Sequence, residues 1–418
     1  MKQQLLRKSP TQVQYQAQLS TLERQMLQKE ALNRFPELNR LKDPDQKAQE
    51  ILHYVMGRTL ERFLEKHPLE LQKPPAFQRL KSESQDLAFT AQIRLYPEVI
   101  LPESLSVEID VSPPEAPKPE DIQATLEALQ WDHARIDRSE LPAQEGDVLL
   151  VDYYLSQAGD ILPQSVQQNQ VLVLQPDRLQ TEWFEALLGV EAGQRLEIPF
   201  EMPLQTEASP VMQATACHLL IKMVTQVQVA RLDDHLAQKR GFASLDALLA
   251  ETATALSQKK QTQWAAQVKE QVIQTLVAAS RVEIPEDWLN EELEKACETS
   301  DIQNLSDFKL SEQSLAQLKS HWLKHPDLRA RKAQILKTLL VLRAIIQQRG
   351  LKVEAPEIDA AIELMAAERA LAESTLKQTM IENHTLLFLA ERILMEKVAN
   401  SLMQTARIFC QGQVISGP

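Results

Sequence analysis

The segment EGDVLLVDYYLSQAGDI (145–161) sets one acidic residue, Asp152, inside an apolar strand pattern and follows it with a polar loop. A small β-rich domain starting this way either opens an active site or keeps an enzyme's frame without its chemistry. Downstream, Trp183 and Phe184 in TEWFEALLG supply an aromatic surface that such a domain can turn toward a substrate or toward its own core. Nucleophilic chemistry at Cys217 is not expected. Its only suggestive partner, His218, is adjacent in sequence, and neighbours on a strand point to opposite faces. His321 and His325 have the i, i+4 spacing of one helix face, but no further ligand set accompanies them and Pro326 starts a new segment, so no metal is expected. Cys217, Cys297 and Cys410 are odd in number and far apart, which gives no disulfide framework and fits a reducing compartment. No glycine-rich Lys-Ser/Thr nucleotide loop occurs, and no cofactor is expected.

The elements that must position these residues can be read from periodicity. Val13, Tyr15, Ala17 and Leu19 alternate with polar residues and predict a strand. Ser20 with Glu23 in capping-box register predicts a helix to about Arg34. RFPELNRLKDP (34–44) breaks the pattern, and a longer amphipathic helix follows from about Asp45 to Lys66. DLAFTAQIRLYPEV and SLSVEIDV read as strands, so the order β, α, α, β, β describes a small α+β domain over 1–111. SPPEAPKPE (112–120) holds four prolines in nine residues and marks a stiff linker, with a short helix at roughly 120–135 completing a connecting segment to 140. Strands at DVLLVDYYL, QVLVLQ, QRLEIPF and ATACHLLIKMVTQVQV make 141–229 a β-rich domain with one helical turn. From 230 to 418 apolar residues recur at helical intervals, with helices expected near 244–280, 285–298, 308–323, 326–348, 356–368 and 373–408.

The whole chain limits the function classes. Its 418 residues exceed one ordinary core, and only 5% are aromatic while Leu, Ala and Gln abound, a mixture that favours helices. The net charge of −13 argues against a chain that coats itself in nucleic acid, while leaving room for a local basic patch. Residues 1–85 nevertheless hold 15 Lys or Arg against 10 Asp or Glu, so a basic tip sits on an acidic body. The start has no apolar run and no 18-residue apolar span occurs, which reads as a cytoplasmic chain without a membrane segment.

Several segments in order resemble bacterial trigger factor, the ribosome-associated folding chaperone. LDDHLAQKRGFASLDALLAE (232–251) is similar to the family's Leu-Asp-Asp segment with its Gly-Phe and acidic helix; IRLYPEV, VEIPEDWLNEELE and KTLLVLRAIIQQRGLKVEAPEIDAAIELMA resemble further family segments, so the likeness runs over about 12–408. It implies an α+β multidomain protein: a small ribosome-binding α+β domain, an FKBP-like β-rich middle domain, and an elongated all-helical C-terminal domain with arms. The first family strand looks truncated, because the strand at 12–19 resembles the second.

The resemblance also implies site residues. Asp152 matches an acidic pocket position of the prolyl isomerase, while strand-edge solvation is the alternative reading. Trp183 and Phe184 either line that pocket or pack the core. The expected Phe-Ile-Pro-Gly-Phe run is replaced by Leu179, Gln180, Thr181, Glu182 and Trp183, and Cys217 stands at a commonly aromatic position. A twisted prolyl bond needs an apolar, partly aromatic pocket and no nucleophile or metal, so weak or absent isomerase activity is expected. For the ribosome, Arg34, Phe35, Arg40 and Lys42 retain basic and aromatic elements of the family's docking loop without its glycines; the other reading is a solvated turn. Met365, Met380, Met395 and Met403 are adaptable candidates for client contact or for core.

The function implied is an ATP-independent chaperone for nascent and unfolded polypeptides, docking at the ribosome near the tunnel exit, without DNA or membrane partners. An active prolyl isomerase with a rearranged pocket, and a ribosome-independent assembly chaperone or adaptor, are the alternatives.

Overall fold

Val13, Tyr15, Ala17 and Leu19 are all buried, as their alternation requires of a strand with one wet face. They lie on β2 (Gln12–Leu19) in a computed structural model that describes residues 2–41, 43–67, 69–80, 86–139, 141–204, 211–369, 371–383 and 385–416. The chain divides into two units, residues 1–100 with 281–285, and residues 101–280 with 286–418.

In the first unit β1 (Lys2–Arg7), β2, β3 (Ala76–Leu80) and β4 (Leu87–Arg94) form an antiparallel sheet in the order β1-β2-β4-β3. Tyr15 and Phe89 centre its core, and Leu27 of α1 (Thr21–Arg34) and Val55 and Leu60 of α2 (Pro44–Leu64) close it. Burial pushes the Tyr15 phenol up to about 12, opposed by the hydrogen bond that Gln3 Nε2 donates to it. The Ser20 capping box forms as expected: Ser20 Oγ accepts from Glu23 N–H, and the Glu23 carboxylate accepts from Ser20 N–H at 2.9 Å. One expectation is overturned. The first strand is present, pairing from Lys2 with Gln18 to Arg7 with Val13. It is exposed along its length, so no alternation betrays it. A short strand β5 (Val99–Ile100) pairs with Arg281–Val282, β13 in chain order.

The second unit begins with β6 (Glu108–Val111), α3 (Pro119–Asp132) and β7 (Arg135–Ser139). The proline-rich linker between β6 and α3 is tied to α6 (Leu245–Ala279): Trp264 Nε1 donates to the Ser112 carbonyl at 2.6 Å, and Lys260 Nζ meets Asp121 Oδ2 at 2.6 Å. Next comes a six-stranded sheet of β8 (Val148–Gln157), β9 (Asp160–Ile161), β10 (Gln167–Val173), β11 (Arg195–Leu204) and β12 (Val211–Gln228), with β7 added alongside β12. Its central order is β10-β8-β12-β11. The helix α4 (Thr181–Leu187) covers one face, where Leu149, Val151, Leu174, Leu187, Ile198 and Leu219 make the core.

After α5 (Asp234–Lys239) and α6, the unit is helical: α7 (Glu286–Cys297), one π-helical turn Glu298–Ile302, a 3-10 turn Gln303–Phe308, α8 (Glu312–Lys324), α9 (Pro326–Arg349), α10 (Ala355–Glu368), α11 (Glu373–Glu382) and α12 (Leu386–Thr405). Gly350, at φ 61°, caps α9 in the left-handed conformation that glycine adopts without a Cβ clash. The single helix expected over 373–408 is two helices, separated near Asn383. The C-terminal region is also not all-helical: β14 (Arg407–Cys410) and β15 (Gln413–Ser416) form a hairpin, and β14 pairs in parallel with β6. The hairpin turn has Gln411 at φ 50° and Gly412 at φ 77°, the positive pair that matches strand twist. The strand expected within 104–111 is therefore real, but its partner is Arg407–Cys410 in the same unit.

Candidate functional site

β8 carries the acidic residue singled out in the sequence. Val151 and Tyr153 pack into the core under α4, so Asp152, between them, points to the other face. It is 0% exposed. Its Oδ1 accepts the Asn169 backbone N–H at 2.7 Å, and Lys222 Nζ lies 3.2 Å from Oδ2 as a charge contact without hydrogen-bond geometry. Both partners sit at strand irregularities: the β10–β8 register shifts between Gln167 and Gln170, where Asn169 has φ 53°, and the β12–β8 register shifts between Ile221 and Met223. One carboxylate thus holds two bulges on either side of its own strand.

Trp183 packs half-buried against the opposite face with Leu179 and Tyr153, and Phe184 is half-buried beside it. The sheet stands between these rings and the Asp152 carboxylate, so Asp152, Trp183 and Phe184 are not brought together. Cys217 lies fully buried in the same core, and burial pushes its thiol up to about 12.

The Asp152 side of the sheet faces the turns and helix that follow α7. Asp301, on the π-helical turn and 1% exposed, accepts from Gln164 N–H at 2.9 Å, Trp322 Nε1 at 2.7 Å and Ser300 Oγ at 2.9 Å. Gln168 Nε2 donates to the Asn304 carbonyl, Arg195 donates to the Phe308 carbonyl, and Tyr154 meets Phe308 edge-on with centroids 4.9 Å apart. His321 Nε2 lies 3.5 Å from Asp160 Oδ2. A cleft of about 500 Å³ opens here, lined by Tyr154, Ser156, Glu197, His218, Leu310 and Ser314 among others. Sequence reading did not find this cleft. Its residues come from β8, β11, β12 and the start of α8, and only strand register unites them.

In the first unit, Arg34 ends α1, Phe35 is its C-cap, and Arg40 ends a 3-10 turn, Pro36–Arg40. Phe35 packs edge-on to Tyr54 with centroids 5.7 Å apart, the Arg34 guanidinium sits 5.8 Å from the Phe35 ring centre, and Arg34 and Arg40 are exposed. Lys42 lies outside the described residues. Beside them a cleft of about 620 Å³ is lined by Met26, Lys29, Glu30, Asn33 and Arg34.

The helices α10, α11 and α12 enclose a small core of Ile362, Ala366, Leu376, Met380 and Leu389. Outside it Leu387 is 73% and Phe388 69% exposed, with Leu364, Leu371 and Ile381 also in water. Of the methionines expected to meet clients or core, Met380 is core, and Met365, Met395 and Met403 are half-buried. Among the described residues no group of three or more His, Cys, Asp or Glu can hold a metal ion, and no helix is long and apolar enough to cross a membrane.

An α+β first unit, a six-stranded sheet and a long helical region bearing exposed apolar side chains define a multidomain α+β protein. The family description of the bacterial trigger factor C-terminus matches residues 244–404, and a second bacterial trigger factor description matches residues 40–129. Trigger factor of Streptomyces coelicolor is 24% identical over 329 residues, 78% of this chain and 69% of that one. Trigger factor of Pelotomaculum thermopropionicum is 25% identical over 350 residues, 81% of this chain and 78% of that one. A solved chain described under promiscuous substrate recognition in folding and assembly activities of the trigger factor chaperone is 16% identical, with a TM-score of 0.41, over 96% of this chain and 99% of that one. The chain belongs to the trigger factor family, as a divergent member.

Proposed function

We propose that this protein is an ATP-independent cytosolic chaperone that shields nascent or unfolded polypeptides, and that its middle sheet, residues 141–229, is an FKBP-like domain with weak or absent prolyl isomerase activity. The observation that carries the chaperone reading is the exposed apolar rim of α10–α12, with Leu387 and Phe388 more than two-thirds in water around a core of their own. Unfolded chains present varied apolar groups, and scattered exposed side chains with charged neighbours hold them with modest, unspecific affinity. The isomerase reading is weakened by two placements. Asp152 is buried and spent on the Asn169 and Lys222 contacts, and Trp183 with Leu179 fills the core rather than walling a pocket with Asp152.

Docking to the ribosome is proposed through Arg34, Phe35, Arg40 and Lys42. Exposed guanidinium groups around an anchored aromatic ring suit phosphate-bearing RNA, where charge contacts position a partner without reading sequence. The deciding experiment has three readouts on one preparation: aggregation of several unrelated denatured proteins, turnover of short Xaa–Pro peptides, and cosedimentation with translating and empty ribosomes. The proposal expects delayed aggregation, little turnover, and salt-sensitive cosedimentation that Arg40→Glu with Lys42→Glu weakens. Failure to delay aggregation removes the chaperone reading, and efficient peptide turnover removes the degenerate-isomerase reading.

A further inference from the structure

Three strands of the middle sheet place one side chain each along a diagonal on the face away from α4: Ser156 on β8, His218 on β12 and Glu197 on β11. Register explains the alignment. His218 pairs with Tyr154 on one side and with Glu197 on the other, and Ser156 follows Tyr154 by the two residues that return a strand to the same face. Ser156 Oγ and His218 Nε2 are 2.8 Å apart, and His218 Nδ1 lies 3.7 Å from Glu197 Oε2. The Glu197 contact is a charge contact longer than a hydrogen bond, and its field favours the tautomer with the proton on Nδ1, in which Nε2 accepts the Ser156 hydroxyl proton. Tyr154 stacks on the imidazole at 4.5 Å and 12°, which fixes the ring plane, and Ala216 opposite Ser156 adds only a methyl beside the hydroxyl.

We propose that Ser156 is a nucleophile and that this cleft is an acyl-transfer site for small uncharged carboxylic esters. A hydroxyl hydrogen-bonded to a base that a carboxylate orients is the arrangement that activates serine. The cleft, at about 500 Å³, has the volume of a small-molecule site, with Ile161, Pro199 and Leu310 supplying apolar wall; Glu197 is its one charged lining residue and disfavours anionic substrates. Leu310 and Ser314 bring the first turn of α8 to the cleft wall. Ser314 N–H is taken by Ser311 Oγ.

The step balances without any further reagent. Ser156 Oγ bonds to the ester carbonyl carbon as its proton passes to His218 Nε2. The carbon–alkoxide bond then breaks and the alkoxide leaves with that proton. Water next attacks the acyl group, giving its proton to His218, and Ser156 departs and recovers it. Burial holds the His218 imidazole below its ordinary pKa, opposed by Glu197, so the base is neutral at pH 7. Glu197 is a positioning residue that acts through His218.

The test is covalent labelling of the full-length protein by diisopropyl fluorophosphate, together with hydrolysis of p-nitrophenyl acetate. The expected result is one diisopropylphosphoryl adduct per chain on Ser156, with fluoride released, by peptide mass spectrometry, and ester turnover that Ser156→Ala abolishes. His218→Asn is expected to lower labelling by about 100-fold or more, the usual contribution of a positioned base. In Glu197→Gln the acid limb of the labelling rate moves to lower pH, because the charge that supports the imidazolium is gone; Tyr154 is the other titratable group facing the ring. Native protein that takes no label, or takes it at a residue other than Ser156, overturns the assignment, whatever the folding state of the variants.

Discussion

Asp152 shows how a residue chosen for chemistry can be engaged in architecture. A fully buried carboxylate that accepts a backbone N–H and faces an ammonium group leaves its partners unsatisfied when removed. Asp152→Ala is expected to destabilise the middle sheet by about 2–4 kcal/mol, read as a lowered urea midpoint, with Asp152→Asn losing less because an acceptor remains for Asn169. An unchanged midpoint would remove the bulge-holding role. The thiols give a second prediction. Cys217 and Cys297 are buried and pushed up to about 12, whereas Cys410 is partly open. A disulfide reagent at pH 8 is expected to titrate one thiol in the native protein and all three after unfolding. Because the folded thiols hold their protons above the unfolded value, stability is complete below pH about 9 and falls as pH rises toward about 12, and Cys217→Ala with Cys297→Ala should flatten that fall.

Elements decide what these residues face. The π-helical turn Glu298–Ile302 inserts the extra residue that aims Asp301 back at the loop after β9, and a buried carboxylate with three donors ties that loop to α8 through Trp322. Asp301→Ala is expected to raise amide exchange at Gln164 at least tenfold and to shift Trp322 emission, while exchange in α1 and α2 stays unchanged. Equal exchange at Gln164 in variant and parent would show that the loop is held by its other contacts. The 3-10 turn that follows it, Gln303–Phe308, carries Phe308 against Tyr154, and Leu310 just beyond reaches the rim of the Ser156 cleft. The joint and the cleft are therefore made by the same elements.

At the scale of the whole molecule, the helical region divides its apolar residues between burial and display. Val272, Leu276, Leu340, Ile345, Val398 and Leu402 of α6, α9 and α12 are buried, whereas α12 begins with Leu387 and Phe388 in water. Leu387→Asp with Phe388→Asp removes display without touching that core. The expected outcome is an unfolding free energy within about 0.5 kcal/mol of the parent, as for surface changes, and a several-fold loss of protection against client aggregation at equal concentration. Full protection by the double variant would place client contact elsewhere.

Local pattern reveals what local physics controls. Alternation marked β2, the Ser20–Glu23 pair marked the start of α1, the prolines at 113–119 marked a break, and helical periodicity marked α6 through α10. Asp152 was visible as an acidic residue in a strand, yet its partners were not, because a strand's pleat tells which residues share a face and not which strand lies alongside. β1 carried no alternation, being exposed throughout, and took its form from pairing with β2. β6 was legible as a strand, but its parallel partner lies almost three hundred residues away at Arg407–Cys410. Ser156, Glu197 and His218 have no informative spacing in the chain; antiparallel register across three strands brings them into line, and that register is set by core packing and bulges distributed over the entire sheet.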